Sequence, residues 1–356
     1  MKNKLESIFK NTDRKKSTFI IAEMAWSHDG SFAKAKKIIK GAATSGADAI
    51  SFHINSIPDL FVKNYKWPNG KITSGAKKET MYEYLNRINI KNKDWKRLFS
   101  YARRLGLIIC VMPGDMKSLE FCRTLKPDMY VLSASCFTEK DFVIEMAKQK
   151  KPIILRIGGA ILQEIKDTIN LIKRQGVKKI ILLHGIQLYP TKIEDINLNL
   201  IPFLEKTFKL PVGLADHIEA DSELASIIPL LAIPLGVKVI EKHLTHNRSL
   251  KGLDYVAALN PVEFKKFVVY IREAEKALGS SYFKGLSKAE LEYQKTVRKR
   301  IVALRDIKKG EKITKENITF KRANDGVYPD QVKYLIGKTA KYDIKKDESI
   351  LKEKLT

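Results

Sequence analysis

The chain has 356 residues, 44% hydrophobic and 30% charged, which is enough for one large buried core and a second, smaller domain. No apolar run reaches the roughly 20 residues of a membrane span, because the longest, IIPLLAIPLGVKVI, is interrupted by Pro229 and Pro234. The 66 basic against 40 acidic residues, a formal +26, favour anionic ligands, yet the lysines are spread between apolar helix positions without an aromatic-interleaved basic motif, so no nucleic-acid partner is expected.

The first residues, MKNKLESIFKNTDRKKST, carry no apolar core of signal-peptide length, and a cytoplasmic protein is expected. Short runs rich in Ile and Val then recur, each followed by a helical pattern: FIIAEM (19–24), DAISFH (48–53), LIICVM (107–112), MYVLSA (129–134), PIILRI (152–157), KIILLH (179–184), PVGLAD (211–216) and VKVIEKH (237–243). Eight strands alternating with helices predict a (β/α)8 TIM barrel rather than an open sheet. Stretches such as AKAKKIIKGAATSGA supply the helices, with apolar residues at helical spacing and a terminal Gly. Residues 54–91, with Pro58, Pro68, Gly70 and Gly75, read as a loop excursion over the barrel mouth, where Tyr65 and Trp67 serve as lid residues or pack on the rim. The predicted organisation is a barrel over 1–279, a charged connector over 280–296 and a mostly-β domain over 297–356, which holds an echo, DIKKGE at 306–311 and DIKKDE at 343–348. Cys110, Cys122 and Cys136 lack CxxC spacing and fit buried, reduced thiols.

Barrel chemistry sits at the carboxyl ends of the strands. Those positions offer Glu23, Ser51 and His53, Asp115, Ser133 and Ser135, Arg156, His184 and Gln187, Asp216 and His217, then Glu241, Lys242 and His243. His217 and His243 end neighbouring strands, and with carboxylates nearby they predict a divalent metal site with open positions, suited to Mn, Zn or Fe. Glu241 and Lys242 are expected to pin the strand end and its water network. His184 reads as an orienting group, His53 as either orienting or ligating, and Arg156 as either a ligand-binding cation or an internal bridge to Glu23 or Asp216.

AEMAWSHDG (22–30), GADAISFH (46–53), LHGIQLYPT (183–191), GLADH (213–217), VIEKHLT (239–245) and the DYVAAL stretch from Asp254 resemble, in order, the sialic acid synthase family. DIKKGEKITKENITFKR resembles that family's antifreeze-like (SAF) domain. The resemblance implies a metal-dependent condensation of phosphoenolpyruvate with an open-chain amino sugar, giving a nonulosonic-type acid. It assigns the metal, manganese first and Zn, Mg, Fe or Co as options, to His217 and His243, and the handling of water and protons to Glu23 and Asp254. Tyr189 and Gln187 then belong to the sugar pocket. Arg322 reaches it across a domain-exchanged homodimer.

The departures fall in the anion half of that site. Ser51 and Val131 stand where the family has the lysines that grip the donor, Arg156 replaces a small hydroxyl residue, Gln187 an asparagine and Ala215 a serine; separately, Ala323 stands for the proline that follows the retained Arg322. With one arginine in place of two lysines, Arg156 is expected on the donor's carboxylate, with His53 and Ser133 beside it. A lyase or aldolase using pyruvate, and a non-catalytic sugar-binding protein, are the alternatives.

Overall fold

The computed structural model describes residues 2–9, 17–67, 79–280 and 282–356, which divide into two compact units, 1–280 and 281–356. In the first, β1 (Phe19–Glu23), β2 (Ala49–Ile54), β3 (Ile108–Pro113), β4 (Met129–Ser133), β5 (Ile153–Arg156), β6 (Ile180–His184), β7 (Val212–Asp216) and β8 (Val239–His243) pair in parallel in chain order. The ring closes where β8 pairs with β1. All eight predicted strands are present, and the architecture is the expected TIM barrel.

Alternation along each strand sorts side chains to two sides of the wall. Phe19, Ile21, Ala49, Ile108, Cys110, Met129, Val131, Ile154, Ile181, Leu183, Ala215 and Val239 fill the interior. Their neighbours, such as Ile20, Ile50, Ile109, Leu132, Leu155, Leu182, Leu214 and Ile240, face the surrounding helices. A short amino-terminal helix, α1 (Lys2–Ile8), lies across the strand starts: Ile8 joins the interior cluster, Lys4 pairs with Asp48 and Lys179 with Glu6. One end of the barrel is thereby plugged, and chemistry is left to the other.

In the described parts of the excursion, 54–67 and 79–91, there is more regular structure than its Pro and Gly content predicts. It contains α3 (Ile57–Leu60) and α4 (Met81–Arg87), the latter started by a reciprocal Thr80–Glu83 capping box. Trp67 packs with Trp26, Ile57, Tyr84, Leu85 and Ile88 and donates from Nε1 to the Glu79 carbonyl at 2.9 Å, so it is a rim residue. Pro68, Gly70 and Gly75 lie outside the described residues.

In the second unit β9 (Lys299–Ala303) pairs antiparallel with β10 (Ile318–Arg322) over a core of Ile301, Ala303, Ile307, Ile313, Ile318, Ile344 and Ile350. The two sequence echoes face each other. Ile307 and Ile344 exchange both backbone bonds at 2.9 and 2.8 Å, Asp343 accepts from the Lys309 N–H and Asp306 from the Lys346 N–H, each at 2.9 Å. Each copy thus caps the turn of the other.

Alternation also divides the Glu-Lys-His end of β8. Glu241 and His243 face the barrel interior, whereas Lys242 faces the helix layer, where its ammonium pairs with Asp216 opposite it on β7. Both side chains are fully buried. Asp216→Ala should therefore strand a buried ammonium and cost about 3–5 kcal/mol in urea unfolding, and Lys242→Met in the same chain should recover most of that loss.

Candidate active site

The inward parity that makes the core also collects the polar residues at the carboxyl ends. Glu23 is in register with Ser51 on one side and His243 on the other, Ser133 is in register with Arg156, and Ala215 with Glu241. At the centre Arg156 Nη2 donates to Glu23 Oε2 at 2.5 Å and lies 2.8 Å from Glu241 Oε1. Burial works against its charge, but Glu241 and Glu23 outweigh that and hold the guanidinium protonated. Of the two bridges open in the sequence, the structure has the one to Glu23. Asp216 is on the other side of the wall.

Glu23 has a second fixed contact, the Ala25 N–H at 2.7 Å on Oε1, while His53 Nε2 stands 3.5 Å from that oxygen, too far for a good hydrogen bond. Burial raises the Glu23 carboxyl, yet His53 and Arg156 together hold it well below the usual range. The opposite holds for Asp254, a residue in the left-handed region at φ 66°. Burial, reinforced by the charge of Glu23, pushes it up to about 6. Glu241 goes up to about 7, first through burial and then through Glu23, despite the arginine. Two kinds of carboxyl thus share one mouth.

His217 and His243 meet edge to face, 5.2 Å between ring centroids, and Tyr189 packs on both at 4.5 and 5.4 Å. His217 Nδ1 is bound to the Ile186 carbonyl at 2.7 Å, which fixes that nitrogen as the donor and leaves the Nε2 lone pair free. Nε2 of His217 and both nitrogens of His243 are buried without a partner. Burial lowers both imidazoles, His217 to about 3, so both are neutral and able to ligate at neutral pH. No cluster of three or more His, Cys, Asp or Glu suited to a metal occurs among the described residues. The two imidazoles could by themselves supply two nitrogen ligands to a divalent ion and no more.

Tyr189 donates its hydroxyl to Gln187 Oε1 at 3.1 Å, which joins the two residues expected to face a sugar to the histidine pair. His184 points outward and binds the Ile196 carbonyl at 2.8 Å, an orienting contact. Asp115 caps the helix α6 (Met116–Leu125) through the Ser118 N–H at 2.7 Å and is taken up there. Ser133 accepts from the Ser135 hydroxyl at 3.0 Å. Arg322 is exposed at the end of β10, in the second unit. What the sequence reading missed is the separate role of Glu241, whose two oxygens lack a hydrogen bond in proper geometry, and the buried, unpartnered hydroxyl of Ser51. Their signal was available: both lie two residues before an inward histidine. Arg156→Met should leave two buried carboxylates in contact and lower stability by about 3 kcal/mol or more in urea unfolding, and adding Glu241→Gln should restore part of it.

Comparison with known proteins places this arrangement. Residues 38–282 match the NeuB family and residues 298–356 the SAF domain. An N,N'-diacetyllegionaminic acid synthase of Campylobacter jejuni is 33% identical over 337 residues, 94% of this chain and 99% of that one. An N-acetylneuraminate-9-phosphate synthase of Mus musculus is 28% identical over 338 residues, 94% of this chain and 92% of that one. The crystal structure of an N-acetylneuraminic acid synthetase from Leptospira borgpetersenii superposes with a TM-score of 0.66 at 25% identity, over 80% of this chain and 93% of that one. The chain belongs to the NeuB family of sialic-acid-synthase-type enzymes, and its second unit is a SAF domain.

Proposed function

We propose that this chain is a cytoplasmic, metal-dependent synthase that joins a three-carbon α-keto-acid donor to the aldehyde of an open-chain amino sugar, giving a nonulosonic-type acid. The observation that carries this reading is the pair of neutral, buried imidazoles with free nitrogens beside an ionised Glu23. A divalent metal held by His217 Nε2 and His243, manganese before Zn, Mg, Fe or Co, supplies Lewis acidity toward the sugar's carbonyl oxygen.

The chain's own groups do the rest. Glu23, kept ionised and aimed by Arg156 and the Ala25 N–H, accepts a proton from water, and His53 keeps its Oε1 side polar. Asp254, whose carboxyl titrates near neutrality, carries a proton to the oxygen that becomes the new hydroxyl. Tyr189 and Gln187 orient the sugar against the histidines. Arg322 of a second copy holds its acyl group in a domain-exchanged homodimer. Arg156 and Ser133 receive the donor's carboxylate.

In the family the donor is phosphoenolpyruvate. A second reading, pyruvate, is favoured by two observations: Arg156 is already shared by two carboxylates, and Val131 lies in the apolar interior while Ser51 brings no charge. A dianionic phosphate needs cations or amide donors that these positions do not offer. With phosphoenolpyruvate the attack of C3 on the aldehyde is completed by water at C2 and loss of phosphate; with pyruvate a C3 proton is lost and returned to the new alkoxide.

The test is incubation with Mn, either donor and a panel of 2-acetamido sugars, with new α-keto acids detected by mass and phosphate release measured. A condensed product and about one bound metal per chain are expected, both lost in the His217→Ala/His243→Ala double variant. Metal retained by that variant at the parent's level, or no product from either donor, overturns the reading. Ser51→Lys with Val131→Lys should tighten phosphoenolpyruvate binding about tenfold by calorimetry, one charge-assisted contact's worth, while Arg156→Ser weakens whichever donor is used.

A further inference from the structure

The SAF domain buries a positive charge that no acidic residue answers among the described residues. Arg300, the second residue of β9, is 7% exposed and forms neither a hydrogen bond nor an ion pair there; its Nε and Nη1 are buried without a partner. Its guanidinium lies over the ring of Tyr328, 3.6 Å from the centroid. Arg298 approaches the same ring at 5.9 Å. The carboxylate that the strand pairing brings near goes elsewhere: Lys321, opposite Arg300 in the antiparallel register, takes Asp347 at 2.5 Å.

Arg300 is covered by the RANDGVYPDQ loop, the Gly/Asp-rich stretch between β10 and the second echo. Its Val327 accepts from the Ile301 N–H at 2.9 Å and donates to the Ile350 carbonyl at 3.2 Å, so the loop lies along β9. Gly326, at φ +106°, is there because a Cβ would come within 2.9 Å of Ser349 Cβ and 3.5 Å of Arg300 Cβ. The loop thus closes on the arginine's base while its turn-end tyrosine covers the guanidinium face.

The face of an aromatic ring offsets only part of what a guanidinium loses on leaving water. Drawing a second arginine to the same ring adds repulsion. An anion placed between the two cations would offset both terms. The Nη1–Nη2 edge of Arg300, whose N–H groups make no hydrogen bond among the described residues, matches one planar carboxylate in two parallel, charge-assisted hydrogen bonds. We propose that Arg300, with Arg298 and Tyr328, forms a carboxylate-binding site of the SAF domain. The carboxylate comes either from a free organic acid or from an acidic side chain of a second copy of this chain. This inference is independent of the proposed reaction.

The experiment is thermal melting of the full chain in sodium acetate against sodium chloride at equal ionic strength and pH, for the parent, Arg300→Lys and Arg300→Met. Arg300→Lys keeps the charge and removes the fork. A free acid as the source predicts a saturable rise in the parent's Tm, about 3 °C at ten times the dissociation constant, and none in either variant. A side chain of a second copy predicts no acetate effect but a Tm that climbs with protein concentration in chloride more steeply in the parent than in Arg300→Lys. The proposal is overturned if the parent shows neither response, if Arg300→Lys keeps the parent's response, or if inorganic phosphate raises Tm where acetate does not. A merely structural arginine lowers Tm in the variants and leaves the acetate and concentration dependence untouched.

Discussion

The bridge from Arg156 to Glu23 and Glu241 is the interaction on which the barrel mouth depends. Three ionisable side chains from β5, β1 and β8 are taken fully out of water at the centre of a closed sheet, and only their mutual attraction makes that tolerable. The sharing is unequal. Glu23 has the hydrogen-bonded contact at 2.5 Å, a backbone N–H and His53 nearby, and stays ionised; Glu241 has distance without direction and is pushed toward its neutral form. One arginine therefore serves two carboxyls in different states, Glu23 held ionised and Glu241 raised toward neutrality.

The strict alternation of a strand decides which residues take part. Within Glu241-Lys242-His243 the outer two enter the mouth and the middle one crosses to the helix layer and meets Asp216. Three consecutive charged or ionisable residues are thus two separate constructions, a chemical one inside and a structural one outside. The same parity removes His184 from the mouth and gives it to the Ile196 carbonyl, and it brings Ser51 in beside Glu23. Glu241 was open to recognition on these grounds, since a period of two is as visible in VIEKH as the apolar run that precedes it.

The barrel itself was legible because strands buried on both faces must be continuous in Ile, Val and Leu, and eight such runs separated by helical patterns leave few other architectures. The histidine pair was legible from strand-end position, together with the resemblance of the flanking motifs. Other features follow from contacts that no local pattern carries. The amino-terminal helix has only Leu5, Ile8 and Phe9 to mark it, and it is held by filling the barrel floor and by pairs to Asp48 and Lys179, far along the chain. The rim helix had a readable start in Thr80-x-x-Glu83, outweighed by the prolines and glycines around it. Arg300 gave no signal at all, because a lysine-rich and arginine-rich strand edge looks solvated until the loop over it is known.

Charge in the mouth also constrains the donor. The inward positions hold one fixed cation and two carboxyls that it already serves, whereas the place where a phosphate would need support is occupied by Val131 in the apolar layer and by an uncharged hydroxyl at Ser51. A monoanionic carboxylate can displace Glu241 from Arg156 in a one-for-one exchange, with the displaced carboxyl able to take up a proton because it is already raised toward neutrality. A phosphate dianion has no such partner to displace. On the proposed reading, one guanidinium between two unlike carboxyls suits a donor bound through its carboxylate, and the histidine pair an acceptor activated through oxygen.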